Sequence, residues 1–78
     1  TVKGVVAERF RQLCAQRGIK YNELANLSGI TPSTVYSLLD GGVGNLHYHH
    51  KKLCDGLDIT LGEFFAAPEF DALEQELQ

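Results

Sequence analysis

The chain has 78 residues, of which 44% are hydrophobic and 22% are charged, a size and composition that fit one small globular domain. Its longest apolar runs are only a few residues, which excludes a transmembrane helix, and the segment after Lys3 becomes charged too soon for a signal peptide. We therefore expect a cytoplasmic protein with no membrane partner.

The net charge of −3 is unevenly distributed along the chain. Residues 69–78 contain four acids and no base, namely Glu69, Asp71, Glu74 and Glu76. The other 68 residues hold 7 bases and 6 acids, so the body of the protein is close to neutral. This distribution excludes a strongly basic arm and makes any long-range attraction to DNA modest.

Helical spacing begins near the N-terminus, and strand signals are almost absent from the chain. The apolar side of the first predicted helix comprises Val2, Val5, Val6, Phe10, Leu13 and Cys14. Gly18 should end this helix, because glycine readily takes the left-handed conformation just past a helix end. Cys14 and Cys54 are expected to be small buried residues, with a disulfide or a reactive thiol as the alternatives.

The stretch ELANLSGITPSTVYSLL, residues 23–39, predicts two short helices separated by a tight turn. The first should span roughly residues 21–27, and its inward-facing side chains would be Leu24, Ala25 and Leu27. Gly29 would accept a positive φ in the turn. Thr31 should cap the next helix and Pro32 should occupy its first position, where the missing N–H costs nothing. This helix would run to about Leu39 and close at Asp40, Gly41 and Gly42.

Three further helices are predicted after a glycine-containing loop. Residues 47–57 indicate a fourth helix, buried through Tyr48, Leu53, Cys54 and Leu57. The sequence from Thr60 to Glu63 is a capping box that opens a short fifth helix, whose apolar residues are Leu61, Phe64 and Phe65. Pro68 separates it from an acidic last helix with a thin apolar stripe of Phe70, Leu73 and Leu77. We divide the chain into a domain at 1–67 and a tail at 68–78.

Two short helices joined by a glycine-containing turn of three to four residues define a helix-turn-helix, here at residues 21–40. Ala25 lies four residues before Gly29, where only a small side chain lets the two helices cross closely. Val35 lies six residues after Gly29, where a branched side chain packs against the first helix. The other apolar contacts would come from Leu24, Ile30 and Leu38. The glycine therefore lets the helices meet at a steep angle, so that the second one projects.

Two blocks, GIKYNELANLSGITPSTVYSLLDG and KKLCDGLDITLGEFF, resemble the phage-repressor type of the lambda repressor/Cro-like (XRE) helix-turn-helix family. The resemblance covers Phe10 to Phe65 and implies an all-α, compact five-helix DNA-binding domain, here with a short C-terminal extra helix. In this family the third helix lies in the major groove of double-stranded DNA, usually as a homodimer on a pseudo-palindromic site. It thus implies a sequence-specific transcriptional regulator, a repressor of bacterial or prophage type.

The resemblance also implies roles for individual residues. The base-reading face of the third helix would consist of Pro32, Ser33, Tyr36 and Ser37. Phosphate contacts, near helix N-termini that bind anions, would come from Arg17, Lys20, Tyr21, Thr31, Asn45 and His47. For Lys51 and Lys52 further on, a solvated helix face is an equal alternative. Because Arg, Asn and Gln are missing from the reading face, sequence discrimination should be modest or depend on Tyr36, water and DNA shape.

Three features depart from the family pattern. Cys14 and Leu39 stand where many relatives pair an arginine with a glutamate, a replacement that can be neutral or stabilising. The loop DGGVGN has no base where relatives often carry one, which predicts fewer released counterions and weaker DNA binding. Asp40 in this loop would repel a phosphate, so we expect it to cap the helix end instead. The segment HYHH at 47–50 does not follow the family's apolar spacing.

The histidines raise a metal-site hypothesis, since His50 and Cys54 are one helical turn apart. His47 and His49 would point to different sides of a helix, and no second cluster completes a tetrahedron. We therefore expect no metal or other cofactor, and solvent-exposed histidines that strengthen phosphate contact when protonated below about pH 6.5. Neither a nucleophile with its base nor a phosphate-cradling loop is present, so we expect no enzymatic activity.

The competing hypothesis is a protein-interaction module. It would be an antitoxin, or a helix-turn-helix domain that has lost DNA binding and kept dimerisation. The near-neutral body, the base-poor loop and the acidic tail favour it. The apolar stripe of the tail would then bind a protein partner or a second copy, whereas otherwise it packs as a strut on the protein's own core.

Overall fold

Six α-helices and no strand make up the part of the chain that the computed structural model describes, residues 2–42 and 44–76. In chain order they are α1 (Val2–Arg17), α2 (Tyr21–Ser28), α3 (Pro32–Leu39), α4 (Leu46–Gly56), α5 (Leu61–Phe65) and α6 (Pro68–Glu76). The predicted all-α fold with an extra C-terminal helix is confirmed. None of the described helices is long and apolar enough to cross a membrane.

One hydrophobic core holds the helices together. Its most deeply buried side chains are Phe10, Phe64, Leu24, Leu38, Leu53, Leu57, Val35 and Cys54. α2 packs against both α3 and α4, while α1 packs against α3 and α6. Helices of eight residues such as α2 and α3 are too short to be stable alone in water. Their position is therefore set by burial in this core, at about 1.5–3 kcal/mol for each large apolar side chain.

Both cysteines are buried in this core as free thiols, as predicted for small buried residues. Burial raises the pKa of the Cys14 thiol. Burial, with a smaller contribution from the charge of Asp55, raises the pKa of Cys54 to about 11. At neutral pH both thiols are thus protonated and poorly nucleophilic. Leu39 lies in the same core cluster as Cys14.

The turn between α2 and α3 has the predicted construction. Gly29 takes a φ of 70°, in the left-handed region that a glycine adopts without strain. The N–H of Ile30 donates to the carbonyl of Ala25 at 3.0 Å, which closes the end of α2. The side chain of Thr31 accepts from the N–H of Thr34 at 3.4 Å, and Pro32 follows at the first position of α3. The helix-turn-helix is confirmed in the structure.

The buried face of α4 differs from the prediction. The helix begins at Leu46, with Asn45 as its N-cap, and its buried residues on the helix are Leu46, His50, Leu53 and Cys54. Tyr48, which was predicted to be buried, is 66% exposed because it lies on the opposite side of this helical period. Leu27 on α2 was also predicted to face inward and is 60% exposed. Both interpretations were wrong because an apolar residue was assigned to the core by type alone.

Helices α5 and α6 complete the fold. Thr60 and Glu63 form the predicted capping box, in which each side chain accepts from the backbone N–H of the other. Of the three apolar residues of α5 only Phe64 is buried, whereas Leu61 and Phe65 are nearly half exposed. Phe70 of α6 packs against Phe64 and Phe65, with ring centroids 5.8 Å and 4.8 Å away. The side chains of Leu73 and Leu77, predicted to continue the stripe, lie outside the described part of the structure.

Candidate nucleic-acid interface

Helix α3 divides cleanly into a buried and an exposed face. Val35, Leu38 and Leu39 are buried against the rest of the domain. The four predicted base-reading residues are all exposed on the other side, namely Pro32, Ser33, Tyr36 and Ser37. The structure therefore brings the four together on one surface, with Tyr36 48% exposed despite its large ring.

One flank of this exposed face is lined by hydroxyl groups. Ser33 and Ser37 line a shallow groove that is completed by Asn45 and His49 at the start of α4. We call these four residues the serine flank. The Oγ of Ser33 also lies 3.4 Å from the Oγ1 of Thr31 at the N-cap of α3. The flank thus combines small side chains of α3 with larger polar ones from the next helix.

His49 is a polar residue of this groove that was predicted to be a solvent-exposed histidine but is only partly exposed. Its Nδ1 is buried and, within the described chain, has no hydrogen-bond partner. Its ring meets that of Tyr48 edge to face at 4.9 Å. The available signal was the N-cap at Asn45, because a residue four positions later lies on the same side of the helix.

The other flank is aromatic and is tied to α2. The rings of Tyr36 and Tyr21 meet edge to face, with centroids 4.9 Å apart. The hydroxyl of Tyr21 donates to Oδ1 of Asp40 at 2.8 Å. We call Tyr21, Tyr36 and Asp40 the tyrosine flank. Burial, together with the hydrogen bond to Asp40 and its charge, raises the pKa of Tyr21 to about 12. Tyr21 is therefore a protonated donor at neutral pH.

Arg11 of α1 supports the same end of α3. Its Nη1 donates to the carbonyl of Leu39 and lies 4.0 Å from Oδ1 of Asp40. Nη2 and Nε of the same guanidinium contact the Glu8 carboxylate at 2.7 and 2.9 Å. An ionic link from α1 to the end of α3 is therefore present. Asp40 closes α3 as expected, but its carboxylate acts across to α2 and α1.

Three of the predicted phosphate-contacting residues lie at helix starts. Lys20, Thr31 and Asn45 are the N-caps of α2, α3 and α4, and all three are exposed. The side chain of Asn45 accepts from the N–H of Tyr48 at 2.9 Å. Free N–H groups and the helix dipole favour anions at such ends. These three residues are thus placed beside surfaces that suit a phosphate.

The other three predicted phosphate contacts lie elsewhere or are already engaged. Arg17 donates through Nη1 to the carbonyl of Leu57, the residue that ends α4. The hydroxyl of Tyr21 donates a hydrogen bond to Asp40. His47 is exposed but lines a different, largely apolar groove, together with Lys3, Val6, Gly44, Asn45, Leu46, His50, Leu61 and Phe65. Lys51 pairs with Asp55 on the surface of α4, which favours the solvated-face alternative for this lysine.

The histidines do not behave as one exposed group. His50 is only 8% exposed, so its prediction as a solvent-exposed residue was wrong. Its ring lies among Phe10, Phe64 and Phe65, with centroids 4.5 to 5.3 Å away. Burial lowers the pKa of His50, and His47 adds to the effect. The Nε2 of His50 lies 3.9 Å from the Sγ of Cys54, and no group of three possible metal ligands occurs among the described residues.

Comparison with known families adds one finding. The model of a family described as the Cro/C1-type HTH DNA-binding domain matches residues 9–69, which is most of the chain. The match contains the helix-turn-helix, both flanks of α3 and the whole of α4 and α5. Neither a curated protein nor a solved structure shows significant similarity to the chain.

Proposed function

Because the chain belongs to the family of Cro/C1-type helix-turn-helix DNA-binding domains, we propose that it is a sequence-specific transcriptional regulator that inserts α3 into the major groove. The observation that carries this proposal is the exposed face of α3. It presents a proline, two serines and a half-exposed tyrosine on one surface, with the N-terminus of α2 at Tyr21 on one side and that of α4 at Asn45 on the other. A projecting helix of this kind fits the width of the major groove.

Base reading falls to the two flanks of α3. Tyr36 offers an apolar ring edge and a hydroxyl, while Ser33 and Ser37 offer hydroxyls that both donate and accept. Pro32 has no N–H and would touch a thymine methyl. Since a single hydroxyl cannot distinguish bases as a bidentate side chain does, water and DNA shape would supply part of the specificity.

Phosphate contacts would come from Lys20, Thr31 and Asn45, where helix N-termini reinforce the side chains. Arg17 would contact a phosphate only after releasing the carbonyl of Leu57, and His47 only after leaving its apolar groove. With few cations available, log K against log salt should have a slope of about −1 to −2 for each protomer. Two copies on a pseudo-palindromic site would place their α3 helices roughly 34 Å apart. Such a homodimer would act as a repressor of bacterial or prophage type by occupying promoter DNA.

A second candidate is a domain that has lost DNA binding and serves protein interaction, for example as an antitoxin. The observation that favours it is that three basic side chains of α1 already donate to backbone carbonyls. The pairs are Lys3 with Gly42 and Gly44, Arg11 with Leu39, and Arg17 with Leu57. Each of these bonds would compete with a phosphate for the same charge.

The tail at residues 68–78 is proposed to be a strut rather than the site of such a partner. Phe70 packs on two rings of α5, and Gln12 of α1 donates to Glu69 at 3.3 Å. Deleting residues 69–78 should then lower the melting temperature and leave the oligomeric state unchanged. Loss of dimerisation in light scattering would instead identify the tail as an interface.

The proposed function is tested by selecting binding sites from random duplex DNA. Affinity for the selected site and for a scrambled duplex is then measured by fluorescence anisotropy from about 50 to 200 mM salt. We expect a selected site that binds at least about tenfold more tightly, and a loss of about 5- to 100-fold in Tyr36→Ala. Leu27→Ala is the control, since this exposed side chain lies at the far end of α2. Weak binding that salt abolishes, with no enriched site, would favour the protein-interaction candidate.

A further inference from the structure

We propose that Tyr21 and Asp40 are positioning residues that hold Tyr36 in the orientation in which it reads a base edge. The inference rests on the proposed function, and it gives Tyr21 a different role from the phosphate contact that the family resemblance implies. Three contacts in series carry the inference. Arg11 of α1 lies beside Asp40 at the end of α3, Asp40 accepts from Tyr21 at the start of α2, and the Tyr21 ring meets that of Tyr36 on the exposed face of α3.

Tyr21 contacts both Asp40 and Tyr36 of α3. The Tyr21 hydroxyl donates to Asp40 at 2.8 Å, and its ring meets the Tyr36 ring at an angle of 63° with centroids 4.9 Å apart. Asp40 follows Tyr36 by one helical turn, so both partners of Tyr21 lie on the same side of α3. The hydroxyl of Tyr21 is therefore held by Asp40, and its ring contacts the ring of Tyr36.

Asp40 is in turn held from α1. Arg11 donates to the carbonyl of Leu39 and lies 4.0 Å from the Asp40 carboxylate. The Tyr21 hydroxyl donates to this carboxylate from α2, and the Arg11 guanidinium forms an ion pair with it from α1. This arrangement explains how an acid can lie beside a DNA-reading helix: its charge is used within the protein to anchor the tyrosine.

A tyrosine that is about half exposed would otherwise sample several rotamers. Binding would have to immobilise it, and this cost lowers both affinity and selectivity for the correct base. An edge-to-face partner restricts the ring before DNA arrives. Because the serine flank reads with small hydroxyls, the orientation of Tyr36 would account for much of the discrimination between sequences.

The first test needs no DNA. The three-bond couplings between Hα and Hβ of Tyr36 are measured by NMR in the wild type and in Tyr21→Phe, which keeps the ring and removes the hydroxyl. We expect one dominant χ1 rotamer in the wild type and averaged couplings in the variant. Unchanged couplings, with or without a lower melting temperature, would overturn the proposal and leave Tyr21 with a purely structural role.

The second test uses the selected and scrambled duplexes. Tyr21→Phe should weaken binding to the selected site about 2- to 10-fold, leave the scrambled duplex unaffected, and have no further effect in a Tyr36→Ala background. An equal loss on both duplexes that persists in the Tyr36→Ala background would overturn the proposal and identify a phosphate contact. If the wild type selects no site, the proposed function fails, and the NMR couplings still decide whether Tyr21 orients Tyr36.

Asp40 offers a charge-matched pair of variants. Asp40→Asn removes the charge but keeps an acceptor for the Tyr21 hydroxyl, whereas Asp40→Ala removes both. Both should bind the scrambled duplex somewhat more tightly, since a negative charge has been removed near DNA. Only Asp40→Ala should lose selectivity, by about 2- to 10-fold. Equal selectivity in the two variants would contradict a positioning role for the carboxylate.

Discussion

The two flanks of α3 differ in how firmly neighbouring helices hold their side chains. The tyrosine flank is tied by a hydrogen bond and a ring contact to α2, and through Asp40 to α1. The serine flank faces a groove whose other wall is the start of α4, where Asn45 and His49 lie. The difference indicates that one flank is prepared for a fixed contact, whereas the other leaves room for water or for adjustment to DNA shape.

The largest effect should come from the core beneath both flanks. Leu24→Ala removes a fully buried side chain of α2 and should lower the free energy of unfolding by about 2–5 kcal/mol. Leu27→Ala removes the same atoms from an exposed position of the same helix and should cost less than about 1 kcal/mol. Urea unfolding measures both. Similar losses in the two variants would show that α2 is not packed as described.

The comparison between the flanks is tested next by removing the hydroxyls of one of them. Ser33→Ala combined with Ser37→Ala should weaken binding to the selected site by about 2- to 5-fold, less than Tyr36→Ala alone. The reason is that water can replace a small hydroxyl, whereas nothing replaces a pre-oriented ring. Anisotropy on the selected duplex measures all three variants. A larger loss from the two serines than from Tyr36 would reverse the proposed ranking of the flanks.

A smaller and less selective effect is expected from Lys20, the exposed N-cap of α2. Lys20→Ala should weaken binding to selected and scrambled duplexes alike and reduce the magnitude of the salt slope by about 1. Lys51→Ala is the matched control, because this exposed lysine of α4 is already paired with Asp55. If only the selected site were affected, Lys20 would be reading sequence and would have to be counted with the tyrosine flank.

Conformational preferences within a few residues predicted the helix caps and the turn between α2 and α3. They could not predict contacts between residues that are far apart in the sequence. Gly29, Thr31 and the capping box at Thr60 follow from conformational preferences within a few residues, and each is found as predicted. The bond from Tyr21 to Asp40 joins residues 19 positions apart, and residue spacing alone gives no sign of it. The all-α class and the helix-turn-helix were therefore predictable, whereas the division of α3 into two unlike flanks was not.

The burial of residues on α4 also depends on contacts with other helices that its own sequence does not reveal. A start at His47 rather than Leu46 was predicted, and Tyr48 was then assigned to the core by its aromatic character. In the structure Tyr48 is exposed, and His50 is buried against the rings of Phe10, Phe64 and Phe65. That burial depends on α1 and α5, so the sequence of α4 alone could not reveal it. The structure also places His49, and not His47, in the groove of the serine flank.

Acid should act on the core through His50 and leave the orientation of Tyr36 unchanged. Burial lowers the pKa of His50 in the folded state, while the unfolded chain binds the proton near the ordinary value of 6.5. The stabilisation from neutral His50 is therefore complete above pH 6.5 and is lost progressively as the pH falls below it. We expect the urea midpoint to drop between pH 7.5 and 5.5, and to drop less in His50→Leu. An equal drop in the two proteins would assign the acid sensitivity to groups other than His50. If acid instead changed the Tyr36 couplings while the fold remained intact, protonation in the core would alter the tyrosine flank, and the tyrosine flank would not be independent of the core.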